Sequence, residues 1–340
     1  MEDSARSEKG YDLVSLFSGG LDSILATRLM SEAGYSILAV KMLLPFYPGR
    51  FSKVVKQYFH KAAGCDVVEL PVGEDYLELV RSPSFGYGKN ANPCLDCRLY
   101  IYKKGWEVAE SVGARGIITG EVVGQRPFSQ RRDALVFLDK RSGIEGRILR
   151  PLTAGNLPET ELESSGFVKR EALLDIQGRG RSRQFELAKE FGIKDFLNPA
   201  GGCLLTDPRF ARRVFALIES GNLNFLAIDI AKFGRMFKIN NVILSVARDK
   251  RESDELDSIY NVEKEKNIGH IECLRYPGPS AVFLAPSGVS EKMLKLLSSI
   301  VVRFSPKLGG KGEVLLSVGG QDNVIFATAA DNATIEEHRI

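Results

Sequence analysis

The sequence predicts an α/β fold, a doubly wound parallel sheet followed by a smaller C-terminal α+β domain. Three observations carry that prediction. Short apolar runs alternate with segments of helical periodicity from residue 12 to residue 120, the pattern of strands joined by right-handed helical crossovers. A Gly-rich hexapeptide, SGGLDS, fills the first strand-to-helix turn. Beyond residue 221 the pattern changes to strand-like runs, two of them joined by GGQDN, a hairpin signal.

Taken in order, DLVSLF (12–17) reads as a buried strand, and the apolar residues of 21–30 recur at helical spacing. SILAVKML (36–43) is the second strand, FSKVVKQYFHKAA (51–63) a helix, DVVEL (66–70) a strand and EDYLELV (74–80) a helix. A longer helix runs from a cysteine pair at 94 and 97 to about residue 112, and RGIITG (115–120) is the fourth strand. Past Gly124 the pattern loosens into a connector rich in Pro and Gly, with one helical piece at 182–192 and a constrained loop, LNPAGGCLLTDP. VILSVARDK, SAVFLAP, GEVLLSV and NVIFATA then read as strands, with RESDELDSIY and SEKMLKLLSSIVVRF as helices. The expected division is a nucleotide-binding domain at 1–150, a connector at 151–220 that carries a cysteine loop and substrate contacts, and an α+β domain at 221–340.

Composition bounds the function. With 340 residues, 44% of them hydrophobic, the chain can bury more than one core. Its 46 Lys and Arg against 43 Asp and Glu exclude the charge excess of a protein that coats nucleic acid, so any basic groove must be local. No apolar run approaches the roughly 20 residues that span a bilayer, and the N-terminus lacks the apolar core of a secretion signal. We therefore expect a cytoplasmic protein with no membrane partner. Five cysteines, an odd number in such a chain, argue for metal or sulfur chemistry rather than a disulfide framework.

In SGGLDS, glycines let the backbone approach an anion, a helix N-terminus offers free N–H groups, and Ser18 and Ser23 add hydroxyls. A bare SGG is more often a capped turn. The full hexapeptide in this position is more specific, and it resembles the signature of the PP-loop ATP pyrophosphatases, a branch of the adenine nucleotide alpha hydrolase-like fold. These enzymes transfer AMP from ATP to a substrate oxygen and release pyrophosphate before a second nucleophile displaces AMP. The resemblance implies that Ser18, Gly19, Gly20, Asp22 and Ser23 hold the β- and γ-phosphates with Mg²⁺, in a loop expected to face solvent. It also implies that Lys41 and Met42 lie where adenine is held, and that Gly120, in TGE, stands where thiolation enzymes read TGH. Glu121 beside it binds Mg²⁺ or caps the next segment.

NPCLDC ahead of a helix, with Cys203 much later in NPAGGCLL, resembles the tRNA thiouridylase branch, 2-thiouridylase or 4-thiouridine synthase-like. Structural zinc takes four protein ligands, and His60, His270 and His338 are all distant in sequence from Cys94, Cys97 and Cys203. Three thiolates could hold three irons of a [4Fe–4S] cluster and leave one iron open to exogenous sulfide. The sulfurs would then converge within about 7 Å above the carboxyl edge of the sheet. A persulfide with a resolving disulfide is the competing chemistry, and Zn²⁺ or no metal remain alternatives. Cys65 and Cys273 read as small apolar fillers.

Arg126, Arg131, Arg132, Lys169, Arg170, Arg179, Arg181 and Arg183 cluster between the two cysteine loops, and QGRGRSRQ suits phosphate contact better than a regular helix. Gln125 and Phe128 are candidate base contacts. The C-terminal part resembles an NFACT-R RNA-binding domain in FKINNVILSVARDKRESDEL and YPGPSAVF. Asp254 and Asp257 stand where Asn is more usual, and a tryptophan-histidine stretch is missing. Its charges balance, so it positions substrate by shape or joins two copies of the chain as a homodimer. The reading is an ATP-dependent tRNA sulfurtransferase supplied by free sulfide or a partner desulfurase. Its rivals are a PP-loop ligase or amidotransferase with structural zinc, and a nucleotide-regulated RNA-binding protein.

Overall fold

The computed structural model describes residues 10–47, 53–127, 129–194, 196, 202–263, 267–285 and 288–340. They form two compact units, the first made of residues up to 88 with 93–203, the second of Lys89–Asn92 with Leu204–Ile340.

The first unit is built on a parallel sheet of β1 (Leu13–Leu16), β2 (Ile37–Leu43), β3 (Asp66–Pro71), β4 (Gly116–Thr119) and β5 (Ile148–Leu149), in the order β3-β2-β1-β4-β5. Its helices are α1 (Leu21–Glu32), α2 (Lys53–Ala63), α3 (Glu74–Arg81), α4 (Cys94–Ser111), α5 (Arg132–Ser142), α6 (Glu161–Ser164) and α7 (Ser182–Glu190). β1 is buried at every position because both sheet faces are covered. On one face Phe17, Ile24, Ala39, Phe59 and Leu187 pack together, and on the other Val14, Leu16, Val40, Met42 and Tyr102. The strand order reverses at β1, between β2 on one side and β4 on the other. That reversal opens a crevice at the carboxyl ends of β1 and β4, where such sheets bind ligands.

The region expected to be loose connector past Gly124 contains α5 and β5. β5 has two residues, too few for a hydrophobic period to register, and it is held by parallel pairing to β4. The first unit also continues to Cys203 rather than ending near residue 150.

The second unit contains α8 (Pro208–Glu219), α9 (Phe225–Ala231), β6 (Arg235–Ile239), β7 (Val242–Val246), α10 (Lys250–Glu263), β8 (Ile268–Cys273), β9 (Ala281–Leu284), α11 (Glu291–Arg303), β10 (Lys311–Val318), β11 (Gln321–Thr328) and α12 (Asn332–His338). Its sheet is wholly antiparallel, in the order β11-β10-β8-β9-β7-β6. The expected hairpin is β10–β11. Gly319 and Gly320 turn it with φ of 57° and 75°, the left-handed pair that a two-residue hairpin requires. No helix among the described residues is long and apolar enough to cross a membrane.

Candidate functional site

SGGLDS is the turn from β1 into α1, and its own side chains set its shape. Ser23 Oγ accepts from Gly19 N (3.1 Å) and donates to Gly20 O (2.8 Å), while Ser18 Oγ accepts from Gly20 N (3.3 Å). Thr27 Oγ1 ties the first turn of α1 to β1 by bonding Ser23 O and Ser15 Oγ. The loop does not face solvent as expected: Ser18 is exposed, but Gly19 and Ser23 are buried and Asp22 is half-buried. The cause is close packing. A Cβ on Gly19 would stand 2.6 Å from Phe59, and one on Gly120, at the end of β4, would stand 2.5 Å from Ser23 N. Gly120 therefore lets β4 press against the loop.

Asp22 lies under this loop. Gln125 Nε2 donates to its Oδ2, Gln184 Nε2 donates to Gln125 Oε1 (3.0 Å), and Arg181 Nη2 stands 3.6 Å from the same Oδ2. Burial pushes the Asp22 carboxyl above its usual range, against the pull of Gln125 and Arg181. Its Oδ1 is buried with no hydrogen-bond partner among the described residues. An orphaned carboxylate oxygen beside a phosphate loop is the donor a hard cation takes, so this position fits Mg²⁺.

Lys41 and Met42 diverge, as neighbours on a strand must. Met42 packs into the core on the α4 face. Lys41, 4% exposed, donates from Nζ to Ser18 O (3.2 Å). Glu121 is neither a free metal ligand nor a cap. It is buried, pairs with Arg98 and with Arg150 Nε (2.9 Å), and accepts from Tyr102 OH and Thr119 Oγ1. Arg150 in turn forks onto Asp139 at 2.7 and 2.8 Å. Sequence reasoning missed this network because its members come from four segments.

Cys94 opens α4, and Cys97 lies one turn in, its Sγ 3.3 Å from Tyr76 OH. Asp96 between them accepts from Ser84 N and Phe85 N, which fixes the preceding loop on the helix mouth. Cys97 and Cys203 both lie within electrostatic reach of Tyr47 and Tyr76. Burial pushes those hydroxyls up, Tyr47 to about 12, and both cysteines add to the shift. Cys97 and Cys203 thus share one neighbourhood, although 197–201 of the second cysteine loop lies outside the described residues. Burial pushes Cys97 up to about 11, with Tyr76 and Arg98 pulling back, and raises Cys94 against Arg98 and Arg126. None of them is in a disulfide, and no three His, Cys, Asp or Glu among the described residues form a set that could hold a metal. Arg98 and Arg126 lie near Cys94, and Arg98 near Cys97, where guanidinium groups can offset the charge of a thiolate. Cys65, pushed up to about 12 by burial, packs in the core, and Cys273 bonds Ser305 Oγ (3.0 Å). Both are fillers.

Most of the expected RNA-facing basic residues are engaged within the protein. Arg131 pairs with Asp133, Arg132 bonds Asn156 O, Arg170 pairs with Glu163, and Arg183 with Glu186 and Glu190. Arg181 and Gln125, expected on RNA, point at Asp22. Lys169 and Arg179 are exposed. Phe128 lies outside the described residues.

Known proteins resemble parts of this chain. The family model "Thiamine biosynthesis protein (ThiI)" matches residues 9–157. A "Probable tRNA sulfurtransferase" of Methanosarcina mazei is 31% identical over 120 residues, 33% of this chain and 28% of that protein. Another, from Thermococcus kodakarensis, is 27% identical over 149 residues, 41% and 36% of the two chains. The "tRNA-specific 2-thiouridylase MnmA" of Chlorobium chlorochromatii is 28% identical over 188 residues, 52% and 49%. The match therefore spans half or less of each relative's length. Residues 9–157 hold the whole parallel sheet, the SGGLDS turn and the first cysteine pair, and it is this part of the chain that resembles the ThiI family model.

Proposed function

We propose that the protein is an ATP-dependent tRNA sulfurtransferase. A uridine carbonyl oxygen attacks the α-phosphorus of ATP, the bond to the β-phosphate breaks, and pyrophosphate leaves. Sulfide then adds to the activated carbon, and AMP departs with the oxygen, leaving thiouridine. The observation that carries this reading is the placement of both cysteine elements and the SGGLDS loop in one compact unit, of which residues 9–157, with the loop and the first cysteine pair, resemble the ThiI family model.

Within it, Ser18, Gly19, Gly20 and Ser23 seat the phosphates, and Asp22 Oδ1 would hold Mg²⁺. Gly120 brings the end of β4 against the loop, and Glu121 beside it pairs with Arg98 of the helix that Cys94 opens. Cys94, Cys97 and Cys203 would hold a [4Fe–4S] cluster, which when bound offers an open iron to the incoming sulfide. Arg98, fixed by Glu121, and Arg126 offset thiolate charge there. Five free thiols fit a reducing, cytosolic setting. Exposed Lys169 and Arg179 are the remaining tRNA phosphate contacts in the connector.

The test is a purified, anaerobically reconstituted protein given ATP, sulfide and unmodified tRNA. The expected result is AMP and pyrophosphate formed together with a thionucleoside seen by mass spectrometry. AMP formation that ignores tRNA would overturn the substrate. Thiolation that persists without iron, with one of the three cysteines dispensable, would replace the cluster by persulfide chemistry.

A further inference from the structure

We infer that the open edge of β11 joins two copies of this chain, each β11 pairing antiparallel with the same strand of the other across a two-fold axis. The inference goes beyond the sulfurtransferase reading and does not depend on it.

The antiparallel sheet ends in β6 on one side and β11 on the other, and the chain treats its two edges differently. Beside β6 the last residues close the edge: Arg339 bridges to Phe237, and Ile340 N donates to Met236 O at 3.0 Å. Beside β11 no further strand pairs among the described residues. Its eight residues, QDNVIFAT, hold one charge and no proline, so the devices that usually blunt an edge strand are missing. The side chains are as bare as the edge. Val324 and Phe326 are 59% and 64% exposed. On the same sheet face α10 covers β8, where Tyr260 stacks on His270 at 5.0 Å, but Val324 and Phe326 stand two strands further out.

Main-chain geometry says what fits there. The two-residue turn at Gly319 and Gly320 makes Val318 and Gln321 a hydrogen-bonded pair. Counting from it, Gln321, Asn323, Ile325 and Ala327 bond β10, and the bond from Ala329 N to Gly310 O at 2.8 Å continues the series. The N–H and C=O groups of Asp322, Val324, Phe326 and Thr328 therefore point to the open side. A second, antiparallel β11 meets all four in a single register, with Val324 opposite Phe326 of the second copy, Asp322 opposite Thr328, and Ile325 on the two-fold axis. That register sets two apolar side chains directly across the seam, twice by symmetry, and places no like charges opposite each other. Lys311 is the neighbour of Thr328 on β10. Asp322 of one copy thus lies across Thr328 from Lys311 of the other, two strand spacings or about 9.6 Å away, and both side chains are exposed. A slip by two residues one way sets Asp322 against Phe326, and the other way leaves Asp322 with no strand residue opposite. The edge is complementary to itself in main chain, apolar contact and charge, which selects a second copy over an unrelated strand.

Sedimentation of the full chain over a concentration series tests the pairing, and the wild type is expected to dimerise. Val324→Pro removes an outward N–H and spares the bonds to β10, so it should raise the dimer dissociation constant by roughly tenfold or more. Asp322→Lys should weaken association, and Lys311→Asp added to the same chain should restore it. Only contact between copies gives that rescue, because Lys311 and Asp322 stand at opposite ends of the hairpin in one protomer. Residue-resolved amide exchange on the wild type needs no variant, so it holds even if a substitution perturbs folding. The N–H groups of Asp322, Val324, Phe326 and Thr328 should exchange more slowly as the dimer forms, whereas those of Ile325 and Ala327 should be protected at every concentration. A monomeric wild type, a dimer in which those four N–H groups stay unprotected, or a dimer indifferent to Val324→Pro would overturn the inference. Protection of the four groups in a monomer only after another protein is added would also overturn it and give the edge to a foreign strand.

Discussion

The two sheets bury charge in opposite ways. In the antiparallel sheet unit, Glu252 is fully buried, yet both its oxygens are engaged by Arg248 and it accepts from Gly234 N and Arg248 N. Burial opposes its ionised form, and Arg248 together with those N–H groups outweighs burial, so the carboxyl sits below its usual range. In the parallel sheet unit, Glu121 and Arg150 follow the same rule, each matched by partners. Asp22 breaks it: burial pushes the acid up, toward its neutral form, and its Oδ1 has no hydrogen-bond partner among the described residues. A buried charge whose ionised form the protein itself stabilises belongs to the architecture. One whose ionised form is disfavoured, at the carboxyl edge of a parallel sheet, marks a place where a ligand completes the electrostatics.

The largest effect should come from breaking the architectural class. Glu121→Ala leaves Arg98 and Arg150 buried without their shared anion. It should cost about 3–5 kcal/mol of stability, read by denaturant unfolding of the first unit. Retained stability would show that Asp139 and Tyr102 alone hold these arginines.

Substitution in the ligand-awaiting class should reverse that pattern. Asp22→Asn should lower AMP formation by roughly 10²–10³-fold without destabilising the fold. The sign follows from the raised carboxyl: between its unfolded value of 3.8 and its higher folded value, the folded state holds the proton more tightly. Stability contributed by this group is therefore present at low pH and lost as pH rises through the folded value. Asparagine, a neutral mimic, should raise the melting temperature at neutral pH, and that gain should vanish under acid. A variant that melts lower at neutral pH would place Asp22 with the architectural charges.

Much of the site was legible because certain residue types can do only a few things. SGGLDS reads as a phosphate cradle from local pattern, whereas Gly120 and the Cys94–Cys97 pair take their expected roles from the family resemblance, and the alternation of β1 to β4 is a direct consequence of burial on both faces. What stayed hidden is long-range. Glu121 and Arg98, or Arg181 and Asp22, meet through topology that no local period encodes. β5 forms only because β4 offers it an edge. Lys41 was noticed for its place on β2, but its side-chain direction depends on Phe59 and Gly19 packing around it.

The smallest effects separate three arginines that the sequence groups together. Arg181 stands 3.6 Å from Asp22 Oδ2, so it belongs with the ligand-awaiting charges. Arg181→Ala should raise the ATP requirement by about tenfold, the scale of one charged contact, while the salt dependence of tRNA binding stays as in wild type. Arg179 is exposed, so Arg179→Ala should leave ATP use alone and reduce the slope of log affinity against log salt by at most about 0.9. Arg183 bridges Glu186 and Glu190 on α7, with all three side chains largely in solvent. Exposed pairs of this kind contribute about 0.2–1 kcal/mol, so Arg183→Ala should shift stability by no more than that and leave ATP and tRNA binding unchanged. Measuring all three singly, by ATP titration and by tRNA binding at several salt concentrations, tests the assignment as a set. A loss of salt slope in Arg181→Ala would move that residue from the loop to the RNA surface, and a loss in Arg183→Ala would mean that tRNA breaks its bridges to Glu186 and Glu190.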